Sequence, residues 1–453
     1  MNSMDGPRVV VIGGGLAGLS AACELAGRGV RVTLLEARNR CGGATFSFSR
    51  GGMRVDNGQH VLLRCYEQYR RFVNTLGSGD SVGIQRRFTM PLIGERGHRA
   101  SLRRTAAPAP FHLATTLATY DVLSVVDRMR VAAGALAIRT LDPQDPELDD
   151  ISFGTWLGRH GQNNATIAAL WNLITVAALN SDVDHASLAL ATKVFRTGLL
   201  DSTDAADIGV PERPLDALHV QPALDFLATR GADIQHNSTV RSVIPENGSF
   251  TLRLDDAELS ADSVVVAVPP DTAAAMCPTA AGLAPQRLRS LGAAPIVNVH
   301  VVFERPVTDT RFVAVLSSPV QFVFDRTAPA GLGHGQYLTV SVSAAQQWID
   351  VPTSRFRAVF LSELARLFPA AAGTAVLDFF VTRERRATFQ QGPGTRSLRP
   401  PTTTPVPGLV LAGAWTDTGW PDTMEGAVRS GNDAAGVVGE HLARREDTRE
   451  VAR

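Results

Sequence analysis

Three short stretches of the chain carry residues that can do chemistry. The first holds Gly13, Gly15 and Gly18 at the spacing G-x-G-x-x-G, followed by Glu36, eighteen residues on (36 − 18). Gly13 permits a tight turn, Gly15 lets backbone approach a pyrophosphate, and Gly18 lets a helix pack on a strand. An acid about 20 residues further on suits a ribose hydroxyl. The chemistry is capture of a dinucleotide by backbone N–H groups and one carboxylate. The second stretch is Val55-Asp56-Asn57-Gly58-Gln59-His60-Val61, and the third is Trp420-Pro421-Asp422-Thr423-Met424-Glu425-Gly426. Their carboxylates and imidazole suit proton transfer. They also suit a plainer use: Asp56, Asn57 and His60 can cap and hydrogen-bond a turn, and Glu425 can hold a helix start. Both readings stand at this point.

The elements that must position these residues follow from local pattern. The β-branched run 9–12 suits a buried parallel strand. Residues 16–28, rich in Ala and Leu, predict a helix whose N-terminal N–H groups and dipole face the phosphates. Residues 32–35 predict a second strand that Glu36 closes. Strand, glycine turn, helix, strand and acid stand in order, so a Rossmann-type unit is expected. Residues 408–412, Gly413 and a helix from near Met424 repeat the strand–glycine–helix arrangement. The N–H groups at the start of that helix can stabilise negative charge.

The run Glu36-Ala37-Arg38-Asn39-Arg40-Cys41-Gly42-Gly43 resembles the E-x-x-x-R-x-G-G extension of flavoproteins of the amine oxidase and phytoene (carotenoid) desaturase superfamily. Gly42 and Gly43 allow close backbone approach, and Arg40 can meet phosphate charge. A nicotinamide domain has no need of this second glycine turn, so the cofactor reads as FAD. No His or Cys stands in an obvious attachment motif, so FAD is expected to be noncovalent. The resemblance narrows at "VDNGQHVLL" and at "GWPDTMEGAVRSG". Both are similar to the hydroxysqualene dehydroxylases, the squalene-associated FAD proteins of hopanoid biosynthesis. It covers nearly the whole chain, most strongly 8–66 and 408–436.

What the resemblance implies is specific. The fold is α/β: a Rossmann-type FAD-binding domain with an inserted mixed α+β substrate domain. The residues implied to bind FAD are Gly13, Gly15, Leu16, Ala17, Gly18, Glu36, Ala37, Arg40, Gly42, Gly43, Gly58, Gln59, His60, Gly413, Thr423 and Met424, with the Val240 backbone at the adenine. For proton supply, His60 and Asp56 come first, then Asp422 and Glu425. All four lie in stretches that the superfamily sets beside the isoalloxazine. Two departures stand out. Ala414 replaces an acid that usually follows the glycine, with Asp417 nearby as a substitute. Asn298 falls where amine oxidases usually carry a lysine.

The 453 residues allow two or three domains. Residues 1–65, 211–290 and 399–453 read as the FAD-binding domain, 66–210 as a helical substrate insert, and 291–398 as a substrate-domain sheet. Within the insert, helices are expected near 66–76, 110–120, 121–140, 151–159, 164–178 and 187–195. Formal charge is zero, which gives no reason to expect nucleic acid. The scattered Cys23, Cys41, Cys65 and Cys277 suit reduced thiols in a cytoplasmic protein, and no metal-ligand spacing is present. The first strand begins within ten residues of the start, so no signal peptide is expected. No apolar run reaches the ~18 residues of a membrane span. Membrane contact is therefore expected to be peripheral, around 100–140, where Arg103, Arg104, Arg128 and Arg130 can meet lipid head groups. The charged tail after Ala443 is expected to fray.

On the resemblance, the expected activity is reductive removal of an allylic hydroxyl from hydroxysqualene to give squalene. The partners are then an apolar isoprenoid substrate and an external flavin reductant that no motif identifies. The alternative is a carotenoid-type desaturase, the same scaffold run oxidatively. An amine oxidase is disfavoured by Asn298, since the one lysine is Lys193. A non-catalytic isoprenoid-binding protein of related fold is kept open by Ala414.

Overall fold

A computed structural model describes residues 6–451. The first strand, β1 (Arg8–Ile12), is apolar because it is buried in the middle of a sheet. The helix α1 (Leu16–Gly27) follows the glycine turn directly, and β2 (Arg31–Leu35) pairs parallel to β1. The remaining strands join from far along the chain. Ser263–Val266 pairs with the other edge of β1, Leu409–Leu411 pairs with Ser263–Val266, and Asp233–Gln235 pairs with β2. All four pairings are parallel, which fits the continuous apolar runs of the central strands. The long helix Met424–Val451 packs along α1, where Gly431 lets it approach the Ala17 carbonyl.

A seven-stranded mixed sheet forms the second layer. Its order is Val376–Thr388, Ala294–Phe303, Gln336–Val342, Phe322–Asp325, Phe312–Val315, Thr89–Ile93 and Arg99–Arg103. The helices between 114 and 200 cover the rest of the substrate side.

Several expectations change. The helix Glu67–Thr75 was assigned to the substrate insert, but Tyr69, Phe72 and Val73 are buried in the cofactor-domain core with α1. Residues 89–103 were placed in the same insert, yet they complete the substrate sheet by parallel pairing with Phe312–Val315. Short strands were expected within 91–102, whereas Phe312–Val315 was not foreseen as a strand. The expected fraying after Ala443 is not seen either, since the helix continues to Val451. Residues 452–453 lie outside the described residues.

Candidate functional site

The glycines divide by what a side chain would meet. A Cβ on Gly13 would stand 2.3 Å from the Ala267 carbonyl oxygen, and one on Gly18 only 1.9 Å from the Gly13 oxygen. These two make the turn and close the helix onto it; Gly13 also has φ +105. A Cβ on Gly15 would meet nothing nearer than the Gly43 Cα at 3.8 Å. The chain itself has no need of glycine at 15, so the open space there is a cradle for a ligand. Leu16 and Ala17 begin the first turn of α1, and their N–H groups face that cradle. Gly42 donates to the Gly14 carbonyl at 2.7 Å, which brings Gly43 against Gly15.

Glu36 is buried and anchored. Its Oε2 accepts from Gly14 N at 2.7 Å and its Oε1 from Arg38 N at 2.8 Å. Each oxygen keeps a lone pair for a ribose hydroxyl. Ala37 beside it is exposed. Ser238 N bonds the Glu36 carbonyl at 2.9 Å, which brings the chain beside Glu36 two residues before Val240. Among the buried polar atoms without a partner in the described residues, Arg40 Nη1, Gln59 Nε2 and Asn298 Oδ1 belong to the stretches singled out above. Orphaned buried groups are costly, so they point to a ligand that satisfies them. Arg40 is held flat on Phe46, 3.4 Å from the ring centroid. The cradle at Gly15 and these orphan atoms fit a dinucleotide with a polar ring system.

Around the Gly58 string the side chains converge from distant segments. A Cβ on Gly58 would lie 3.2 Å from Asn298 Nδ2 and 3.6 Å from His60 Nε2. Asn298 donates to the Asn57 carbonyl, which Thr382 also bonds. Behind Thr382 a buried chain runs through His300 to the Tyr337 hydroxyl at 2.6 Å. Burial, with Arg326 adding to it, depresses the His60 pKa to about 4, so His60 is neutral at pH 7. His219, not foreseen from sequence, is fully buried between Tyr69 OH (3.1 Å) and Thr45 Oγ1 (3.0 Å).

The four carboxylate and imidazole candidates separate sharply. Asp56 accepts from Ser47 Oγ, Leu215 N and Arg326 Nη2. Glu425 is fully buried and accepts from Gln68 N, Tyr69 N and Arg429 Nε. Both accept hydrogen bonds from several chain groups, an arrangement that suits holding a turn and a helix start, the plainer of the two uses expected for them. Asp422 differs. Its Oδ2 takes one hydrogen bond, from Phe389 N at 2.9 Å. Burial raises its pKa to about 6, against the pull of that N–H and of the Arg399 charge; burial also raises the Asp56 and Glu425 carboxyls, so what sets Asp422 apart is its single hydrogen bond. A carboxyl poised there holds a proton more readily than an ordinary aspartate. The loop that carries it is fixed at Trp420, whose ring is flanked by Lys193 at 4.9 Å and Arg429 at 4.6 Å.

In the third stretch, Gly413 (φ +148) donates its N–H to Ser430 Oγ, and Met424 is buried. Thr423 Oγ1 accepts from Gly426 N, capping the last helix. Asp417 does not replace the acid missing at Ala414. It is exposed and faces a surface cleft with Lys193 and Arg396. Arg104 is likewise unavailable to lipid, being bound at 2.6 and 2.8 Å to both oxygens of buried Asp207.

Comparison with known proteins agrees with this geometry. The family pattern described as flavin containing amine oxidoreductase matches residues 16–439. A hydroxysqualene dehydroxylase of Rhodopseudomonas palustris is 30% identical, over 95% of this chain and 98% of its own. A zeta-carotene desaturase of Capsicum annuum is 25% identical, over 95% of this chain and 80% of its own. Among solved structures, putrescine oxidase superposes with a TM-score of 0.71 at 20% identity, covering 96% of this chain and 99% of that one. At that identity it bears on the fold alone.

Proposed function

The chain belongs to the flavin containing amine oxidoreductases; it is an FAD-dependent oxidoreductase, and on that premise we propose that it removes the hydroxyl of hydroxysqualene reductively. The observation that carries this reading is the 30% identity to a hydroxysqualene dehydroxylase along almost the full length of both chains. One proton and one hydride enter, and squalene and water leave. Reduced FAD, when bound, supplies the hydride. The residues that would hold it are Gly13, Gly15 and Gly18 with the α1 N-terminus, Glu36, Arg40, Gly42, Gly43, Gln59 and the Gly413 turn.

The protein's own part is the proton, the position and the exclusion of water. Asp422, with Oδ2 fixed on the Phe389 N–H, holds a proton on Oδ1 for the departing hydroxyl. His60 is neutral and offers a hydrogen bond that orients that hydroxyl. Asp56 and Glu425 hold the loops on which these two stand. Apolar side chains of the helical insert supply the surface for an isoprenoid chain, at ~0.8 kcal/mol per buried CH₂.

The protein meets its substrate at a lipid surface in this reading. Phe111, Val125, Val126, Met129 and Leu136 are each more than half exposed, and all lie between 111 and 136. Arg130 stands in the same segment, with Arg103 and Arg139 flanking it in sequence. No helix among the described residues is long and apolar enough to cross a membrane.

An anaerobic single turnover tests the reaction. Flavin reduced with deuterium at N5, with solvent exchange controlled, should leave one deuterium on the carbon that lost the hydroxyl. Squalene free of deuterium would refute hydride transfer. New double bonds in a polyene, with the flavin becoming reduced, would favour a desaturase instead.

A further inference from the structure

The turn at Gly413 and the loop that bears Asp422 meet at one buried guanidinium. Arg399 is 4% exposed. Its Nε donates to the Thr416 carbonyl at 2.9 Å, and its Nη2 donates to the carbonyls of Ala414 (3.0 Å) and Thr416 (2.5 Å) and to Thr418 Oγ1 (3.1 Å). All these acceptors are neutral. Among the described residues no carboxylate forms a direct ion pair with it. Burying a cation on such terms is costly. Burial indeed lowers its pKa, opposed by the more distant Asp417, Asp422 and Asp149.

The same guanidinium sits 5.1 Å from the centroid of the Phe389 ring. Phe389 gives Asp422 its N–H bond, and Gln391 Oε1 accepts from Asp422 N at 2.9 Å. Arg399 therefore grips the 414–418 loop with its donors and seats on Phe389 with its face. Its partner Ala414 stands where the family usually carries an acid. We propose that Arg399 is a positioning residue for Asp422: it holds the 414–418 loop and the Phe389 ring so that the carboxyl stays on the Phe389 N–H, and it sets a positive charge nearby that favours the carboxylate.

The proposal rests on the reading of Asp422 as proton donor, and it can be tested without turnover. The groups facing Asp422 are the Arg399 charge, the Phe389 N–H and the neutral Gln391 side chain; Asp149, Asp417 and Arg396 act through Arg399. The experiment is infrared difference spectroscopy of the FAD-loaded protein across pH, following the C=O stretch of a protonated carboxyl. Asp422→Asn assigns the band by removing it. Arg399→Met should move its midpoint upward by about one pH unit, because a stabilising positive charge is gone. Arg399→Lys keeps the charge and should keep the midpoint near wild type. Bound flavin absorbance checks that each variant is folded. Should Arg399→Met fail to hold FAD, Arg399→Gln retains a donor for Thr416 and should show the same upward move. A midpoint unchanged in a flavin-loaded Met or Gln variant overturns the proposal. Normal dehydroxylation by Asp422→Asn would instead remove the catalytic reading of Asp422, leaving the infrared result to judge Arg399 separately.

Discussion

Arg326 Nη2 lies 3.0 Å from Asp56 Oδ2, with both side chains about 95% buried. The pair ties the Gly58 string of the cofactor domain to the substrate sheet, 270 residues away in sequence. Arg326 also donates to the Pro211 carbonyl. Breaking a buried pair from one side leaves an uncompensated charge and costs about 3–5 kcal/mol. Arg326→Met should therefore lower stability by that order in urea unfolding. Asp56→Leu combined with Arg326→Met should recover part of it. Equal stability of wild type and Arg326→Met would show that the pair carries no structural weight.

Gly15 and Gly18 should fail differently. Gly15→Val adds bulk only to open space, so the protein should fold with a near-normal melting temperature and lose FAD. Gly18→Ala puts a methyl 1.9 Å from a backbone oxygen, so folding itself should suffer. Circular dichroism and a flavin titration separate the two outcomes. Full FAD occupancy in Gly15→Val would displace the cradle from this turn.

Proton supply should follow the order Asp422 before His60. Asp422→Asn should slow turnover by about 10²–10⁴-fold, as expected for loss of a general acid. With Asp422 as donor, the wild-type rate should fall as pH rises through about 6, because the protonated form is then depleted. His60→Ala should act chiefly on KM. A loss of kcat in His60→Ala equal to that in Asp422→Asn would return His60 to the acid role.

His300 gives the fold a pH dependence of known sign. Burial depresses its pKa to about 3, so it stays neutral in the folded chain while the unfolded chain protonates near 6.5. The folded state therefore loses stability as pH falls below about 6.5, by up to ~1.4 kcal/mol per pH unit. His300→Gln cannot titrate there. Its unfolding free energy should be shallower against pH by about that amount between pH 6 and about 4.5. Parallel pH profiles for the two proteins would contradict a neutral buried His300.

The exposed apolar face at 111–136 should bind vesicles. Val126→Glu with Met129→Glu should abolish flotation with anionic liposomes and leave FAD binding intact. Arg103→Glu should weaken flotation mainly at low salt, since head-group attraction is screened. Failure of the wild type to float at any salt concentration would remove the lipid reading.

The turn around Gly13, Gly15 and Gly18 was legible in the chain because its constraints are local. Steric demands within a few residues dictate glycine, and the flanking runs dictate strand and helix. The same holds for Gly42 and Gly43, and for the helix that starts near Met424. The ranking of the acids was not legible. Asp56, Asp422 and Glu425 look alike in sequence, yet Arg326 and Leu215 claim Asp56, Gln68 and Tyr69 claim Glu425, and among the described residues the Asp422 carboxyl accepts one hydrogen bond, from Phe389 N. Nor could spacing assign Thr89–Ile93 to a sheet whose partner strand is Phe312–Val315. A carboxyl's protonation depends on which charges and N–H groups surround it and how much water they exclude. The backbone N–H groups of Phe389, Leu215, Tyr69 and Gln68 arrive from 33 to 357 residues away, so only the folded chain brings them to these carboxyls.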